Sequence, residues 1–398
     1  MKKIIALSIA TASFVFATNG DNMIGLGPES RALGGTGIAL GMGADSVFKN
    51  PAWLVDTKGL EGMFGATLFM PTVKAKVTNP LMGNGAEVES KADMFMIPEI
   101  SVTDHLTDNL SYGFGMFGVS GMGVDYRNEN PMTGVASMRT NFQYMRFVPS
   151  LSYKMDNLRL GAGVTLAYGS LNMSAVTPDG TGDPTTAAQR GGGLSEDFGF
   201  GFQVGAGYHL SDAITLGAYY QSEVETEYEG VFDFNYDGVY DNLKLSQPAE
   251  YGVGIAYKAG DLTVTADYRK ILWSEADGYD NFGWADQDVF ALGLAYAMGD
   301  LTLRAGYNYG ESPLQDLDSL APAPTDMQLQ QNIYFNMLGF PAFSDSHITL
   351  GFGYQINEKM GLDVAYVYAP DVTITSPMGI EASNEQNSLT FAFTYKFD

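Results

Sequence analysis

The chain has 398 residues, with 48 glycines, 24 phenylalanines, 23 tyrosines and no cysteine, and its formal net charge is −25 although only 17% of its residues are charged. The lack of cysteine excludes disulfides and cysteine-ligated metal sites, and the acidic balance argues against nucleic-acid binding, which rewards clustered Lys and Arg. The low charge, the many aromatic residues and a mean hydropathy of −0.05 are typical of neither a disordered chain nor a helical membrane protein.

The first 17 residues, MKKIIALSIATASFVFA, have the order of a secretory signal peptide. Lys2 and Lys3 form the charged region, an apolar core follows, and Val15-Phe16-Ala17 ends it with a small-residue cleavage pattern. The alternative is a membrane anchor, although the apolar run is shorter than the roughly 20 residues that a spanning helix needs. We predict a signal peptide over residues 1–17 and a mature protein outside the cytoplasm.

Residues 18–60 separate this leader from the first alternating strand. They contain glycine-rich turns, two short stretches of helical character and the apolar block DSVFKNPAWLV at residues 45–55. This segment is too apolar to be left in water, and a barrel much wider than about eight strands has a lumen that side chains alone do not fill. We therefore predict that residues 18–60 form a plug, or hatch, inside a barrel built from residues 61–398.

The rest of the chain alternates with a period of two. In FGFGFQVGAGYHL, at residues 198–210, one face carries bulky apolar side chains and the other carries mostly glycine. Only helices and closed barrels satisfy their backbone groups in lipid, and an apolar outer face with a small or polar inner face is typical of a transmembrane barrel. We predict an all-β antiparallel barrel of about fourteen strands in the bacterial outer membrane. A secreted β-sandwich is the alternative.

The links between the alternating stretches differ in length. Short links rich in Asp, Asn and Gly, such as KMDN at residues 154–157 and AMGD at residues 297–300, alternate with long ones. Short turns on the periplasmic side and long loops outside are the asymmetry of bacterial barrels. Residues 140–149 depart from the alternation, which predicts a bulge there.

One long link, VFDFNYDGVYDN at residues 231–242, has the D-x-N-x-D-G spacing of calcium loops, although Lys244 stands where the twelfth position usually holds Glu. Two readings stay open: a structural calcium site, which is the only cofactor suggested, or an acidic loop that extends two strands. The oxygen-bearing residues are Asp233, Asn235, Asp237 and Asp241. The other face of the loop is a candidate surface for capturing a hydrophobic substrate, and its residues are Phe232, Phe234 and Tyr236.

Four stretches occur in order along the chain: Asn50-Pro51-Ala52, ADYRKILWSEADGYDNF at residues 266–282, RAGYNYGESP at residues 304–313 and HITLGFGYQI at residues 347–356. Together they resemble the FadL/TodX family of outer-membrane transporters for hydrophobic compounds. The resemblance implies a fourteen-stranded barrel with an N-terminal hatch, substrate capture on the outer loops and an apolar pocket. It also implies a lateral exit at an inward kink of the third strand.

Two sets of residues follow from this resemblance. Asn50, Pro51 and Ala52 are expected to lie in the moving part of the hatch and to gate it, with a merely structural corner as the alternative. The third strand, LSYGFGMFGVSGMGVDY from residue 110, is crowded with glycine, and glycine inside a strand often marks a bulge or kink. We place the expected kink at Gly118, Ser120 and Gly121.

A fatty-acid substrate would require a cation near the pocket, because burying an unpaired carboxylate is costly. The resemblance implies a lysine in the fifth outer loop region, but residues 274–303 contain no Lys or Arg. On the presumed inner face the candidates are Arg159, Arg269 and Arg304, each of which is alternatively a wall charge paired with Asp267 or Asp363. The missing lysine leaves neutral hydrocarbons open as substrates.

The predicted function is passive uptake of hydrophobic compounds, with long-chain fatty acids first and aromatic or aliphatic hydrocarbons as the alternative. A general diffusion porin for polar solutes is the second alternative, although the small, mainly uncharged inner face and the plug speak against it. The three histidines, His105, His209 and His347, form no nucleophile and base pair, so no catalysis is expected. The expected partners are a hydrophobic ligand and outer-membrane lipid or lipopolysaccharide, with no nucleic acid, and the expected state is a monomer.

Overall fold

Fourteen antiparallel strands close into a ring in the computed structural model, which describes residues 18–80, 82–178, 187–235, 237–314 and 327–397. Each strand pairs with the next, and the last strand pairs with the first from Glu61↔Lys396 to Val77↔Ile380. The strands are β1 Glu61–Val77, β2 Phe95–Thr107, β3 Leu110–Asp125, β4 Arg139–Met155, β5 Leu158–Pro178, β6 Ala187–His209, β7 Ile214–Gln221, β8 Glu250–Ala259, β9 Leu262–Ile271, β10 Gln287–Met298, β11 Leu301–Gly310, β12 Ser346–Gln355, β13 Met360–Thr375 and β14 Ile380–Lys396.

The two faces of the ring differ as the period of two predicts. On β6, Phe200 points outward and is 72% exposed, whereas Gln203 points inward and is buried. An outer surface of exposed Phe, Leu, Val and Tyr is unfavourable in water and favourable in lipid. The predicted barrel of about fourteen strands is confirmed, and the sandwich alternative is wrong because one sheet closes on itself. Within the described residues, no helix is both long and apolar enough to span a membrane.

The links between strands alternate in length around the ring. The short turns after Met155, Ala259 and Met298 lie at the end of the barrel where β1 begins and β14 ends, whereas the short link 376–379 between β13 and β14 lies at the opposite end. The long links, such as residues 126–138, 222–249 and 272–286, lie at the opposite end. We call these the short-turn end and the long-loop end. The shorter elements at the long-loop end are strands Glu87–Glu89, Glu227–Phe232 and Asp241–Lys244, 3-10 helices Pro131–Thr133 and Trp273–Glu275, and a helix α3 Met327–Tyr334 that continues as a π-helix Phe335–Gly339.

The expected bulge at residues 140–149 lies on the neighbouring strand instead. β3 and β4 lose register between Gly118↔Met145 and Ser120↔Tyr144, so the extra residue is Val119 of β3. The register between β4 and β5 is the same on both sides of Pro149. Pro149 has no N–H to donate to the ladder, and the irregular pattern of residues 140–149 accompanies this proline without an inserted residue in β4.

Residues 18–60, hereafter the N-terminal segment, pack against the inner side of the ring. Glycines on the inner face leave room for this contact: a Cβ at Gly207 would lie 2.4 Å from the Trp53 ring, and one at Gly161 would lie 2.3 Å from the Ala52 nitrogen. The bulky residues of the strands therefore form the outer surface of the wall, and the small residues that alternate with them make space for the N-terminal segment on the inner surface. The elements of the segment are two-residue strands Thr18–Asn19 and Asn22–Met23, helices α1 Pro28–Ala32 and α2 Ser46–Lys49, and 3-10 helices Gly43–Asp45 and Pro51–Asp56.

Candidate functional site

Asn50 ties the N-terminal segment to the barrel wall. It precedes the 3-10 helix that begins at Pro51, and its side-chain oxygen accepts a hydrogen bond from the Ala52 N–H at 3.1 Å. Proline suits the first position of a helix because it has no N–H to leave unpaired there. The side-chain amide of Asn50 donates to three carbonyl oxygens, those of Ile38 (2.7 Å), Ala206 (3.0 Å) and Ala218 (3.4 Å). The three predicted hatch residues thus fix a corner of the segment against β6 and β7.

A small cavity of about 30 Å³ lies between the N-terminal segment and the wall. On one side it is apolar, with Met23, Leu26, Phe48 and Val119 among its lining residues. Val119 is the extra residue of the β3 bulge, so the cavity borders the irregular part of that strand. A cavity of this size has room for water or a small polar group and not for a hydrocarbon tail.

The other side of the cavity is positively charged. Lys49 and Arg269 both pair with Glu250, at 3.3 and 3.1 Å, and Arg269 also donates to the Ile24 carbonyl. Arg146 is the third cation lining the cavity, so three cations face one carboxylate. Burial and the neighbouring Arg269 lower the pKa of Lys49 to about 8, against the opposing effect of Glu250. The cavity therefore carries net positive charge in a chain whose net charge is −25.

Arg146 is the unusual member of this group. It is only 5% exposed, its Nε has no hydrogen-bond partner, and among the described residues no carboxylate oxygen lies within 4.0 Å of its guanidinium. Its contact in the wall is the ring of Tyr144, 5.7 Å from the guanidinium carbon. Buried charges are normally paired, so an unpaired arginine at a cavity indicates a site for an anion. The cross-strand neighbours of Arg146, Phe117 and Ala167, cannot neutralise it, and the carboxylates of Glu250 and Asp21 act on it only from beyond 4.0 Å.

The three arginines predicted from the sequence have different surroundings. Arg269 lies at the cavity, but Arg159 pairs with Asp56 at 2.9 Å. Arg304 pairs with Asp363 at 2.6 Å and with Glu29 at 3.2 Å. Arg304 thus has one of the wall partners that were its alternative, whereas the partner of Arg159 belongs to the N-terminal segment and is neither Asp267 nor Asp363. Asp267, the other expected wall partner, accepts the backbone N–H groups of the N-terminal segment, from Gly37 at 2.8 Å and Ile38 at 2.9 Å.

The predicted kink residues lie where β3 separates from β2. The ladder between these two strands ends at Glu99↔Phe117, so Gly118, Ser120 and Gly121 have no partner on β2. Residues 21–22 of the N-terminal segment take that place. Asn22 pairs with Ser120, and the Gly121 N–H donates to the Asp21 carbonyl oxygen at 3.2 Å. The N-terminal segment therefore covers a gap in the wall.

Asp21 also joins this gap to a loop at the long-loop end. Its buried carboxylate accepts hydrogen bonds from the Tyr279 hydroxyl and from the Gln247 side chain at 3.4 Å. Burial raises the pKa of Asp21 to about 6, which the hydrogen bonds partly oppose. The Tyr279 ring packs at a tilt against both Trp273 and Trp284, with centroids 4.7 Å away in both cases, and the two indole rings also contact each other at 5.0 Å. Trp273 and Tyr279 of the run at residues 266–282 thus pack over the start of the N-terminal segment.

The aromatic residues predicted for substrate capture form part of a cluster at the long-loop end. Phe232 is buried and contacts Phe234 at 5.1 Å and Phe335 of the π-helix at 5.2 Å. Tyr236 lies outside the described residues. The partly buried Phe234 is also 5.9 Å from Phe335, so the loop at residues 231–242 and the segment after α3 pack together.

The residues with the calcium-loop spacing hydrogen-bond within the loop and to one arginine, and calcium binding there stays a prediction. The Asp233 carboxylate pairs with Arg190 and accepts the Asp237 and Gly238 N–H groups. Asn235 accepts the Asp237 N–H, and Asp241 accepts the Phe234 N–H. In the part of the chain that the structure describes, no group of three or more His, Cys, Asp or Glu side chains could hold a metal ion. The oxygens serve an arginine and the backbone of the turn.

Comparisons with known proteins agree with this architecture. Residues 4–326 match the family model described as outer membrane protein transport protein (OMPP1/FadL/TodX). The chain is 24% identical over 287 residues to the long-chain fatty acid transport protein of Escherichia coli O6:H1, an alignment that covers 65% of this chain and 63% of that protein, less than two thirds of the relative's length.

Solved structures show the same fold. The toluene transporter TodX of Pseudomonas putida superposes with a TM-score of 0.71 at 21% identity, covering 94% of this chain and 99% of that one. A FadL homologue of Pseudomonas aeruginosa gives a TM-score of 0.73 at 17% identity, with 95% and 100% coverage.

Proposed function

We propose a function from the premise that the chain belongs to the OMPP1/FadL/TodX family of outer-membrane transport proteins. This family consists of transport channels and not of enzymes, and the closed barrel with its apolar outer face is suited to the outer membrane. In bacterial barrels the long loops face the exterior, so the long-loop end is the outer end. The proposed activity is passive uptake of hydrophobic compounds, and the proposed substrate class is long-chain fatty acids.

Arg146 is the observation that carries this choice of substrate. A fatty acid offers one carboxylate and one apolar tail, and the cavity offers an unpaired guanidinium beside apolar side chains. The carboxylate would provide the partner that Arg146 lacks, and Lys49 would add a second cation to it. A hydrocarbon has no charged group and would leave Arg146 without an ion-pair partner. Each CH₂ buried from water contributes about 0.8 kcal/mol, so the tail supplies affinity and the head group supplies orientation.

The position of the cavity supports a lateral route. It borders Val119 in the β3 bulge, next to the stretch of wall that pairs with the N-terminal segment instead of with β2. The cavity is too small for a tail, so the N-terminal segment has to shift for substrate to occupy it. We propose that residues 18–60 act as the hatch. Asn50, Pro51 and Ala52 are expected from the sequence in its moving part, and the hydrogen bonds of Asn50 to the wall favour the alternative, a structural corner that stays fixed during the shift. Substrate would leave between β2 and β3.

The test is a competition assay on the purified barrel in detergent. A fluorescent long-chain fatty acid is displaced by the acid, the primary alcohol and the alkane of equal chain length. We expect the acid to compete at a concentration at least about tenfold lower than the alcohol, since a hydrogen bond to a charged group contributes about 1.5–3 kcal/mol. Equal potency of alkane and acid would replace the fatty-acid proposal with hydrocarbon uptake.

The porin alternative is separated by conductance in planar bilayers. The N-terminal segment crosses the inner side of the ring, so we expect near silence. Large steady conductance together with no displacement of the fluorescent acid would overturn the proposal of hydrophobic uptake.

A further inference from the structure

A second cavity, of about 210 Å³, opens between the outer ends of β2 and β3. Below it, the two strands separate after Glu99↔Phe117. Above it, they are joined again, because the Lys91 N–H donates to the Asp125 carbonyl oxygen at 2.8 Å. This cavity, hereafter the strand cleft, is the outer end of the same separation that the proposed route uses. It is distinct from the small cavity at Arg146.

The charged residues of the strand cleft are Lys91, Asp93, Asp125, Arg127 and Arg139. Asp125 accepts from Arg127 Nε at 2.9 Å and from a second guanidinium nitrogen, which orients Arg127 at the rim. Lys91 and Arg139 have no carboxylate oxygen within 4.0 Å among the described residues. Arg139 has a long hydrogen bond of 3.4 Å to Asn172. The cleft thus holds three cations and two carboxylates, and neither Lys91 nor Arg139 lies within ion-pair distance of a carboxylate, although Asp125 still acts electrostatically on Arg139.

These two cations are exceptional at the outer end of this acidic chain. The other Lys and Arg side chains of the described outer end have a carboxylate within 4.0 Å. The pairs are Lys74–Glu87, Lys76–Glu381, Arg127–Asp125, Arg190–Asp233, Lys244–Asp277 and Lys270–Asp286. Lys91 and Arg139 therefore differ from the other cations of the outer end because no carboxylate oxygen lies within 4.0 Å of them.

The strand cleft lies at the upper edge of the lipid-facing surface. Met94, in its lining, is 63% exposed, and Met96 on the same outward face of β2 is 61% exposed. Further along the strand the outward face turns into the apolar wall that contacts acyl chains. A lipid whose tails lie along Met94 and Met96 would bring its head group to Lys91 and Arg139. The arrangement suits an amphiphile in the outer leaflet and not a solute from the lumen.

We propose that the strand cleft binds the phosphate group of an outer-leaflet lipid. A phosphate monoester carries roughly −1.5 to −2 charges and three acceptor oxygens, and arginine binds phosphate through two parallel N–H bonds while lysine binds it as a point charge. Lys91 and Arg139 supply two positive charges to the phosphate, and the lining as a whole keeps a net positive charge because its three cations outnumber Asp93 and Asp125. A carboxylate would need only one of them. The site lies on a surface that the proposed uptake of fatty acids does not use for binding.

The experiment measures lipid A binding to the full-length purified barrel in detergent, with Lys91→Gln/Arg139→Gln as the test variant. We expect the double variant to lose at least about tenfold in affinity for diphosphorylated lipid A, as two charge-assisted contacts are removed. Lys74→Gln/Lys270→Gln is the matched control, because it removes two outer-end cations that are paired with carboxylates, and it should keep the affinity of the unmodified chain. Dephosphorylated lipid A should bind the original chain and the double variant alike.

Two competition measurements distinguish a lipid phosphate from other anions that could bind the strand cleft. Inorganic phosphate that displaces lipid A at millimolar concentration would show a site for free phosphate, and displacement by a long-chain fatty acid would show a substrate site; either result would overturn the lipid assignment. Equal lipid A affinity in the double variant would overturn the site itself. The fluorescent fatty-acid assay on the double variant is the folding control. Unchanged binding there shows an intact barrel, and its result does not depend on the lipid assay.

Discussion

Replacement of Arg146 by methionine should weaken fatty-acid binding and stabilise the barrel at the same time. Methionine is apolar and unbranched, so it fills much of the same space without the charge. Loss of a hydrogen-bonded charge contact costs about 1.5–3 kcal/mol, which corresponds to a roughly 10- to 150-fold rise in the dissociation constant of the acid. The affinity for the alcohol of equal chain length should hardly change. The melting temperature of the empty barrel should rise, because an unpaired buried charge is removed.

Arg304→Met is the matched control, since Arg304 is also an arginine of the inner face but pairs with Asp363 and Glu29. Its replacement leaves two carboxylates without their partner, so the melting temperature should fall while the ratio of acid to alcohol affinity stays constant. The assay is fluorescence displacement in detergent, with thermal unfolding followed in parallel. If Arg146→Met weakened acid and alcohol equally, the side chain would act through packing and the charge argument would be refuted.

Three further results are expected. Because the pKa of Lys49 is lowered to about 8, the affinity for the fatty acid should decline as the pH rises through 8 and Lys49 loses its proton. Lys49→Arg should abolish that decline. A flat pH profile of affinity in the unmodified chain would exclude Lys49 from the site. Asn50→Asp should lower thermal stability more than Asn50→Ala, because a carboxylate would face the Ile38 and Ala206 carbonyls; the reverse order in thermal unfolding would contradict the assigned hydrogen bonds. Deletion of Val119 should restore continuous register in β3 and reduce fatty-acid uptake into proteoliposomes much more than binding in detergent, and unaltered uptake would rule out the lateral route.

The fold was predictable because the period of two is a property of neighbouring residues. Phe200 faces outward and Gln203 faces inward, and the alternation of neighbouring residue types in the sequence is enough to predict this. Glycines on the inner face, such as Gly207, lie where the N-terminal segment packs against the wall. The ring and its alternation of short and long links follow from that pattern. The number of strands follows from counting it.

The charged site was not predictable in the same way, because pairing depends on register and on contacts between distant residues. Arg159 and Arg304 looked available in sequence, yet their partners stand at residues 56, 29 and 363. Arg146 was overlooked because the irregular stretch at residues 140–149 hides which face it occupies. Its lack of a partner becomes visible only when Phe117 and Ala167 are known to be its neighbours. Lys49 could not be assigned to the cavity from the sequence, because it lies in the N-terminal segment and the alternation of the strands does not predict where that segment packs.

The buried carboxylate of Asp21 has a consequence for the exposed surface. Through its side chain it holds Tyr279 of an external loop, and through its backbone it holds Gly121 at the gap in the wall. Coupling between two sites is reciprocal, so an antibody fragment that draws Tyr279 outward must loosen the wall, and a ligand that parts the wall must release the loop. Residue 279 therefore links an external loop to the covered gap through a single buried carboxylate.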